Sequence, residues 1–169
     1  MPHANLAPIL VVTGHSNSGK TTLIESLVPV LRRRGYRVGV IKHLGSDLEW
    51  DRKGKDTDRF WEAGADALGV LAPDRSLLMW RRTGAEPEPL AAQMDVDLVL
   101  AEGFKRSAHP AIVVTGGRPE VVAELGEGRP VVAVVGTAAA GVASAYAVGD
   151  VEGIADRVEE WLRNQPDAR

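Results

Sequence analysis

The 169-residue chain has no cysteine. That excludes disulfides, thiolate metal sites and cysteine nucleophiles, and it fits a cytoplasmic protein. A long apolar run is missing as well. None reaches the roughly 18 residues that span a bilayer, so no membrane association is expected. The opening residues MPHANLAP show no charged region followed by an apolar stretch, so no signal peptide is expected. Nor is there an excess of basic charge. Lys and Arg number 20 against 23 Asp and Glu, a net charge of −3, whereas a nucleic-acid binder would carry a basic field. What remains is an ordinary globular composition, 44% hydrophobic and 25% charged, in a length that suits a single domain over residues 1–169.

Short apolar runs stand at 8–14, 37–43, 66–72, 97–103, 111–116 and 130–136. They are rich in Val, Ile and Leu without clean alternation, the pattern of parallel strands covered on both faces. Between them, KTTLIESLVPVLRRRG places Leu23, Ile24, Leu27, Val30 and Leu31 on one helical face. Pro29 should bend this helix slightly. Its last turn carries Arg32, Arg33 and Arg34, and Gly35 is a suitable C-terminal cap. Residues 56–65 and 151–164 read as two further helices. The run 76–82 lies too close to 66–72 for a crossover and reads as its antiparallel partner. TGAEPEP reads as a surface loop, and 136–145 as a loop or a poor helix. The order predicts an α/β fold of three layers with a mostly parallel central sheet and one antiparallel hairpin. Ligands of such folds lie beyond the carboxyl ends of the strands.

Residues Gly14, His15, Ser16, Asn17, Ser18, Gly19, Lys20 and Thr21 match G-x-x-x-x-G-K-[ST] in full, between a strand and a helix. Gly14 allows a sharp turn, and Gly19 allows backbone to lie against a phosphate. The loop amides form an anion nest at the positive end of the helix. Lys20 would reach the β/γ-phosphates, the Thr21 hydroxyl suits Mg2+, and Thr22 can donate to an α-phosphate. A second Mg2+ carboxylate should close a neighbouring strand, and in DLVLAEGFK that is Glu102. Asp97 opens the same strand, and at about 3.3 Å per residue it is too far away to share the ion.

A polar stretch follows the second strand. Most charges between Lys42 and Asp58 read as a solvated loop. Its place at the mouth of a phosphate site also suits a switch that orders on a γ-phosphate, with Lys42, Asp47 and Asp56 as the residues to test. One His with scattered acids does not make a transition-metal site. Trp50 is the tryptophan best placed for a partner contact.

Taken together, GHSNSGKTTL, GVIKH, DRKGKDTDRFWEAGA, DLVLAEGFK and VGDVEGIADRVEEWL resemble the molybdopterin-guanine dinucleotide biosynthesis adaptor family, MobB, over nearly the whole chain. The resemblance implies a GTP-binding P-loop protein, usually dimeric. It implies slow GTPase activity connected with attachment of GMP to molybdopterin, beside a molybdopterin guanylyltransferase. Residues Gly14 to Thr22 would hold phosphates, and Thr21 with Glu102 would hold Mg2+. The guanine-reading N/T-K-x-D signature is absent, and GTAAAG after residue 135 offers no Asp for a base edge. No catalytic base beyond Glu102 is evident, which suits a slow enzyme.

A small-molecule or nucleotide kinase is the alternative, with Arg81, Arg82, Lys105 and Arg106 available, though no lid segment is evident. A nickel chaperone would need a His- or Cys-rich segment, and a regulatory nucleotide binder without turnover is the non-enzymatic reading.

Overall fold

The computed structural model describes residues 6–45, 56–81, 84, 86–138 and 144–166. The elements run β1 (Ile9–Thr13), α1 (Lys20–Arg33), β2 (Val38–Lys42), α2 (Asp56–Glu62), β3 (Ala67–Leu71), β4 (Ser76–Trp80), α3 (Glu88–Ala91), β5 (Leu98–Glu102), β6 (Ala111–Val114), α4 (Val121–Gly126), β7 (Val131–Val135), β8 (Ala145–Tyr146) and α5 (Val151–Arg163). They form two compact units, Met1–His43 with Glu86–Arg169, and Leu44–Ala85.

In the larger unit six strands make one sheet in the order β2-β5-β1-β6-β7-β8, with every neighbouring pair parallel. The central strands are apolar on both sides because both sides are covered. Leu10, Val12, Leu98, Leu100, Ile112 and Val114 meet α1 and α5 on one face. On the other, Val11, Val99 and Ala111 lie against Phe104 and Ala91 of α3, and Val113 lies against Val121 and Leu125 of α4. The helical face read from α1 is the buried one: Leu23, Ile24, Leu27, Val30 and Leu31 are its buried residues.

Gly35, at φ +97°, ends α1 in a Schellman motif: its N–H donates to Arg32 O at 3.1 Å, and Tyr36 N–H donates to Leu31 O at 3.1 Å. The Arg34 guanidinium then reaches Glu152, Asp156 and Glu159 at 2.6, 2.7 and 2.6 Å, fastening α1 to α5. These three carboxylates hold its pKa above the ordinary arginine value. Helix α5 starts at Asp150, whose side chain accepts from Gly153 N–H at 3.0 Å.

The smaller unit holds α2 and the antiparallel pair β3–β4, joined in the register Leu68↔Met79 and Val70↔Leu77. The helix read over 56–65 stops at Glu62. Gly64 at φ +97° closes it early, with Gly64 N–H donating to Trp61 O and Ala65 N–H to Phe60 O. Three elements of the larger unit were not anticipated. Helices α3 and α4, of 4 and 6 residues, are too short to show a period, and α3 overlaps the stretch read as a loop. Strand β8 has only 2 residues and is held by Ser144 O and Tyr146 O accepting from Val134 and Gly136 N–H. Asp97, just before β5, is bonded to the Arg37 backbone and guanidinium, as suits a strand-start residue.

Candidate functional site

Parallel pairing sets the site before any side chain is considered. In the β1–β5 register Val12 lies opposite Glu102, and in the β2–β5 register Lys42 lies opposite the same glutamate. Gly103 N–H donates to Val12 O and His43 N–H donates to Glu102 O, both at 3.0 Å. The phosphate-loop sequence leaves β1 immediately beyond this level. Lys42, Glu102 and the loop therefore share the carboxyl edge of the sheet.

The loop needs its glycines for steric reasons. A Cβ on Gly14 would lie 2.5 Å from both Ser18 Oγ and Val114 O. Asn17 and Gly19 have φ of +60° and +100°. A left-handed Asn is tolerated, and a left-handed Gly is free of strain. Gly116, after β6, would meet the Ser18 backbone at 3.0 Å if it carried a Cβ, so the β6–α4 turn presses on the loop.

The first helical residue is Lys20, and the cap position Gly19 supplies no side-chain hydrogen bond. The earliest intrahelical donor is Leu23 N–H, bonded to Gly19 O at 2.9 Å. The N–H groups of the first turn, together with the helix dipole, face the loop and can take an anion. No acidic residue stands in that turn to compete. Ser18 Oγ is buried and has no partner among the described residues, and neither does Thr13 Oγ1 at the end of β1. An orphaned hydroxyl inside a glycine cradle suits an oxyanion ligand.

Lys20 Nζ donates to His15 O at 2.6 Å, which folds the side chain back over the loop. Its pKa is lowered from 10.5, first by burial; Glu102 opposes this, and Lys105 and Lys42 add to it. The Thr21 hydroxyl donates to Glu102 Oε1 and Oε2 at 3.2 and 3.3 Å. Lys42 Nζ approaches the same carboxylate at 4.0 Å. Hydroxyl, carboxylate and two ammonium groups thus converge at the helix N-terminus. Thr21 with Glu102 offers the hard oxygen pair that Mg2+ prefers. His15, Ser16, Asn17 and Thr22 take their places in the loop or first turn, with Ser16, Asn17 and Thr22 exposed.

Of the three switch residues, Lys42 stands at this edge, opposite Glu102. Asp56 opens α2 in the other unit, and Asp47 lies outside the described residues. Trp50 and Arg82 also lie outside them. Arg81 is engaged within its own unit: it stacks over the Trp61 ring at 4.2 Å and bonds to Trp61 O and Ala65 O.

One contact had no sequence signal. His15 Nε2–H donates to Glu124 Oε2 of α4 at 2.9 Å, across 109 residues. It ties the loop to the helix beside β6. Nothing local marks Glu124, because α4 itself is too short to read.

The family model described as molybdopterin guanine dinucleotide synthesis protein B matches residues 9–137. The molybdopterin-guanine dinucleotide biosynthesis adapter protein of Escherichia coli K12 is 38% identical over 176 residues, spanning 98% of this chain and 99% of that protein. The adapter protein of the same name from Haemophilus influenzae is also 38% identical, over 98% of this chain and 95% of its own. A crystal structure of molybdopterin-guanine biosynthesis protein B superposes with a TM-score of 0.74 at 32% identity, covering 92% of this chain and 99% of that one. The match takes in the phosphate loop, the Glu102 strand and both flanking strands, and the chain belongs to the molybdopterin guanine dinucleotide synthesis protein B family.

Proposed function

We propose that the chain is a GTP-binding adaptor with slow, Mg2+-dependent GTPase activity, acting as one nucleotide-binding domain. In this reading it assists a molybdopterin guanylyltransferase in attaching GMP to molybdopterin, in the cytoplasm. The observation that carries the reading is the pairing of the Thr21 hydroxyl with the Glu102 carboxylate at the mouth of an uncapped, glycine-cradled helix N-terminus.

Residues Gly14 to Thr22 wrap the polyphosphate with main-chain N–H groups. Lys20 leaves the His15 carbonyl and turns its ammonium to the β/γ-phosphate oxygens. Thr21 and Glu102 hold Mg2+, which when bound neutralises charge on the phosphates. Glu102 also orients a water, and a carboxylate as the one base in this reading suits slow hydrolysis. The assignment of guanine rests on the family, since the sequence carries no N/T-K-x-D signature to read the base. The exposed leucines of the β3–β4 pair support a homodimer: Leu71, Leu77 and Leu78 are 90%, 45% and 54% exposed in the single chain.

Steady-state phosphate release with GTP and with ATP, in the presence and absence of a molybdopterin guanylyltransferase, tests the reading. The expected result is slow release from GTP, reduced in Glu102→Gln more than binding is. Fast transfer to a small acceptor without any partner would replace it with a kinase. A flat calorimetric titration with Mg2+ and purine triphosphates would end it.

A further inference from the structure

Glu102 ends β5, and the chain leaves the sheet through two uncommon conformations. Gly103 has φ +102° and Phe104 has φ +40°. The first is natural for glycine. The second is strained for a residue with a bulky side chain and persists only where its surroundings impose it. The Phe104 ring is buried against the Ile9, Val11, Ala101 and Ala111 face and lies 5.1 Å from the His43 ring.

The other restraint comes from a distant part of the chain. Arg129, just before β7, donates from Nη2 to Phe104 O at 3.2 Å and to Lys105 O at 2.5 Å. Its residue is only 9% exposed, and Nε and Nη1 have no partner among the described residues. No described carboxylate is paired with it, and burial alone lowers its pKa. A guanidinium buried with unpaired N–H groups costs free energy that an apolar residue would not. Filling space in the core does not call for an arginine here. Joining two successive carbonyls of a strained turn does, because one planar nitrogen can serve both.

We propose that Arg129 is a positioning residue for the Mg2+ end of the nucleotide site: by clamping the Phe104 and Lys105 carbonyls it fixes the turn that sets the reach of Glu102 toward Thr21. The proposal rests on the reading of Thr21 and Glu102 given above. Arg129 touches neither nucleotide nor ion. Its effect therefore passes through Glu102 and has a signature that general loosening of the fold lacks.

The test compares GTP titrations of the parent, Arg129→Met and Arg129→Lys, with Mg2+ and with EDTA, alongside their melting temperatures. In EDTA all three should bind within about twofold of one another. With Mg2+, Arg129→Met should lose about tenfold of the affinity gain, as removal of a residue supporting an ion ligand does, and Arg129→Lys should recover part of it. Introduced into Glu102→Gln, Arg129→Met should cost nothing further. Equal losses with and without Mg2+, or an undiminished loss in the Glu102→Gln protein, would overturn the proposal. If Arg129→Met does not fold, Arg129→Lys decides by the same two criteria.

A second measurement is independent of nucleotide. The His43 ring resonance, assigned by its disappearance in His43→Gln, should shift in nucleotide-free Arg129→Met and return toward its place in Arg129→Lys. An unmoved resonance overturns the clamp. A parent that gains nothing from Mg2+, with the resonance moving as expected, would instead fault the reading of Thr21 and Glu102.

Discussion

Strand β5 and the β3–β4 pair are written in nearly the same alphabet, yet one is core and the other surface. Leu98, Val99, Leu100 and Ala101 are each 0% exposed. Across the hairpin, Leu71, Leu77 and Leu78 are 45% exposed or more. The difference lies in the number of neighbours. Strand β5 is paired on both edges, by β1 and β2, and its two faces meet separate apolar clusters. Among the described residues the hairpin has one pairing, and an isolated two-stranded ribbon is marginal in water. An apolar run therefore reports a wish for burial. Which partner grants it is a separate fact, found within the chain for β5 and sought outside it, in our proposal, for the hairpin.

The sharpest way to break this comparison is a truncation in β5. Leu100→Ala removes a side chain sealed between β1, β2 and α1, where the cavity can close little. A loss of about 3 kcal/mol of unfolding free energy is expected, measured by urea denaturation at constant m. An outcome below about 1 kcal/mol would mean that the sheet tolerates voids as a surface does.

The next effect is on ligand rather than fold. Lys20→Ala should weaken GTP binding about a hundredfold, equal to about 2.7 kcal/mol, while the melting temperature stays near the parent's. The stability should hold because Lys20 is only half-buried and its side chain bonds to a loop carbonyl. A mutant that binds as the parent does would remove the phosphate site from the loop. A mutant that unfolds would mean that the site edge and the core are one cooperative object.

The legibility of this site follows from how local its constraints are. Gly14 and Gly19 could be read because each answers to a steric demand made within a few residues, a Cβ clash in one case and a left-handed φ in the other. Glu102 could be read because a strand end is a position as well as a residue. Glu124 and Arg129 could not: one bonds to His15 and the other to a turn 24 or 25 residues earlier, and neither sits in a periodic element long enough to place it. The same division holds for the fold. The long helices and buried strands show a period, whereas α3, α4 and β8 form because the sheet is already there to receive them.

A smaller effect links the site to pH. Burial, joined by Lys105 and Lys42, holds the Lys20 ammonium below 10.5 in the free protein. A bound polyphosphate needs that proton and raises the pKa again. Affinity is then full below the lowered value and falls as pH rises through it, at a slope approaching tenfold per unit. Because the folded free state holds the proton less tightly than the unfolded chain, the same group makes folding stability rise, not fall, between its lowered value and 10.5. Lys42→Met should move the onset of the affinity loss upward, and an onset unmoved by both Lys42→Met and Lys105→Met would assign the shift to burial alone.

The smallest effect is expected where the surface looks most in need of a partner. Leu71 is 90% exposed in the single chain, so Leu71→Ser should change the unfolding free energy at low protein concentration by less than about 0.5 kcal/mol. If the hairpin is covered by a second copy, the same substitution acts by mass action: sedimentation should show more monomer at a given concentration, and the melting temperature should lose its dependence on concentration. A parent that sediments as a monomer at every concentration would leave these leucines to a different protein, and the guanylyltransferase would be the first to try. A substitution that costs as much as Leu100→Ala in a proven monomer would mean instead that the hairpin buries Leu71 within its own chain, and the contrast between the two regions would collapse.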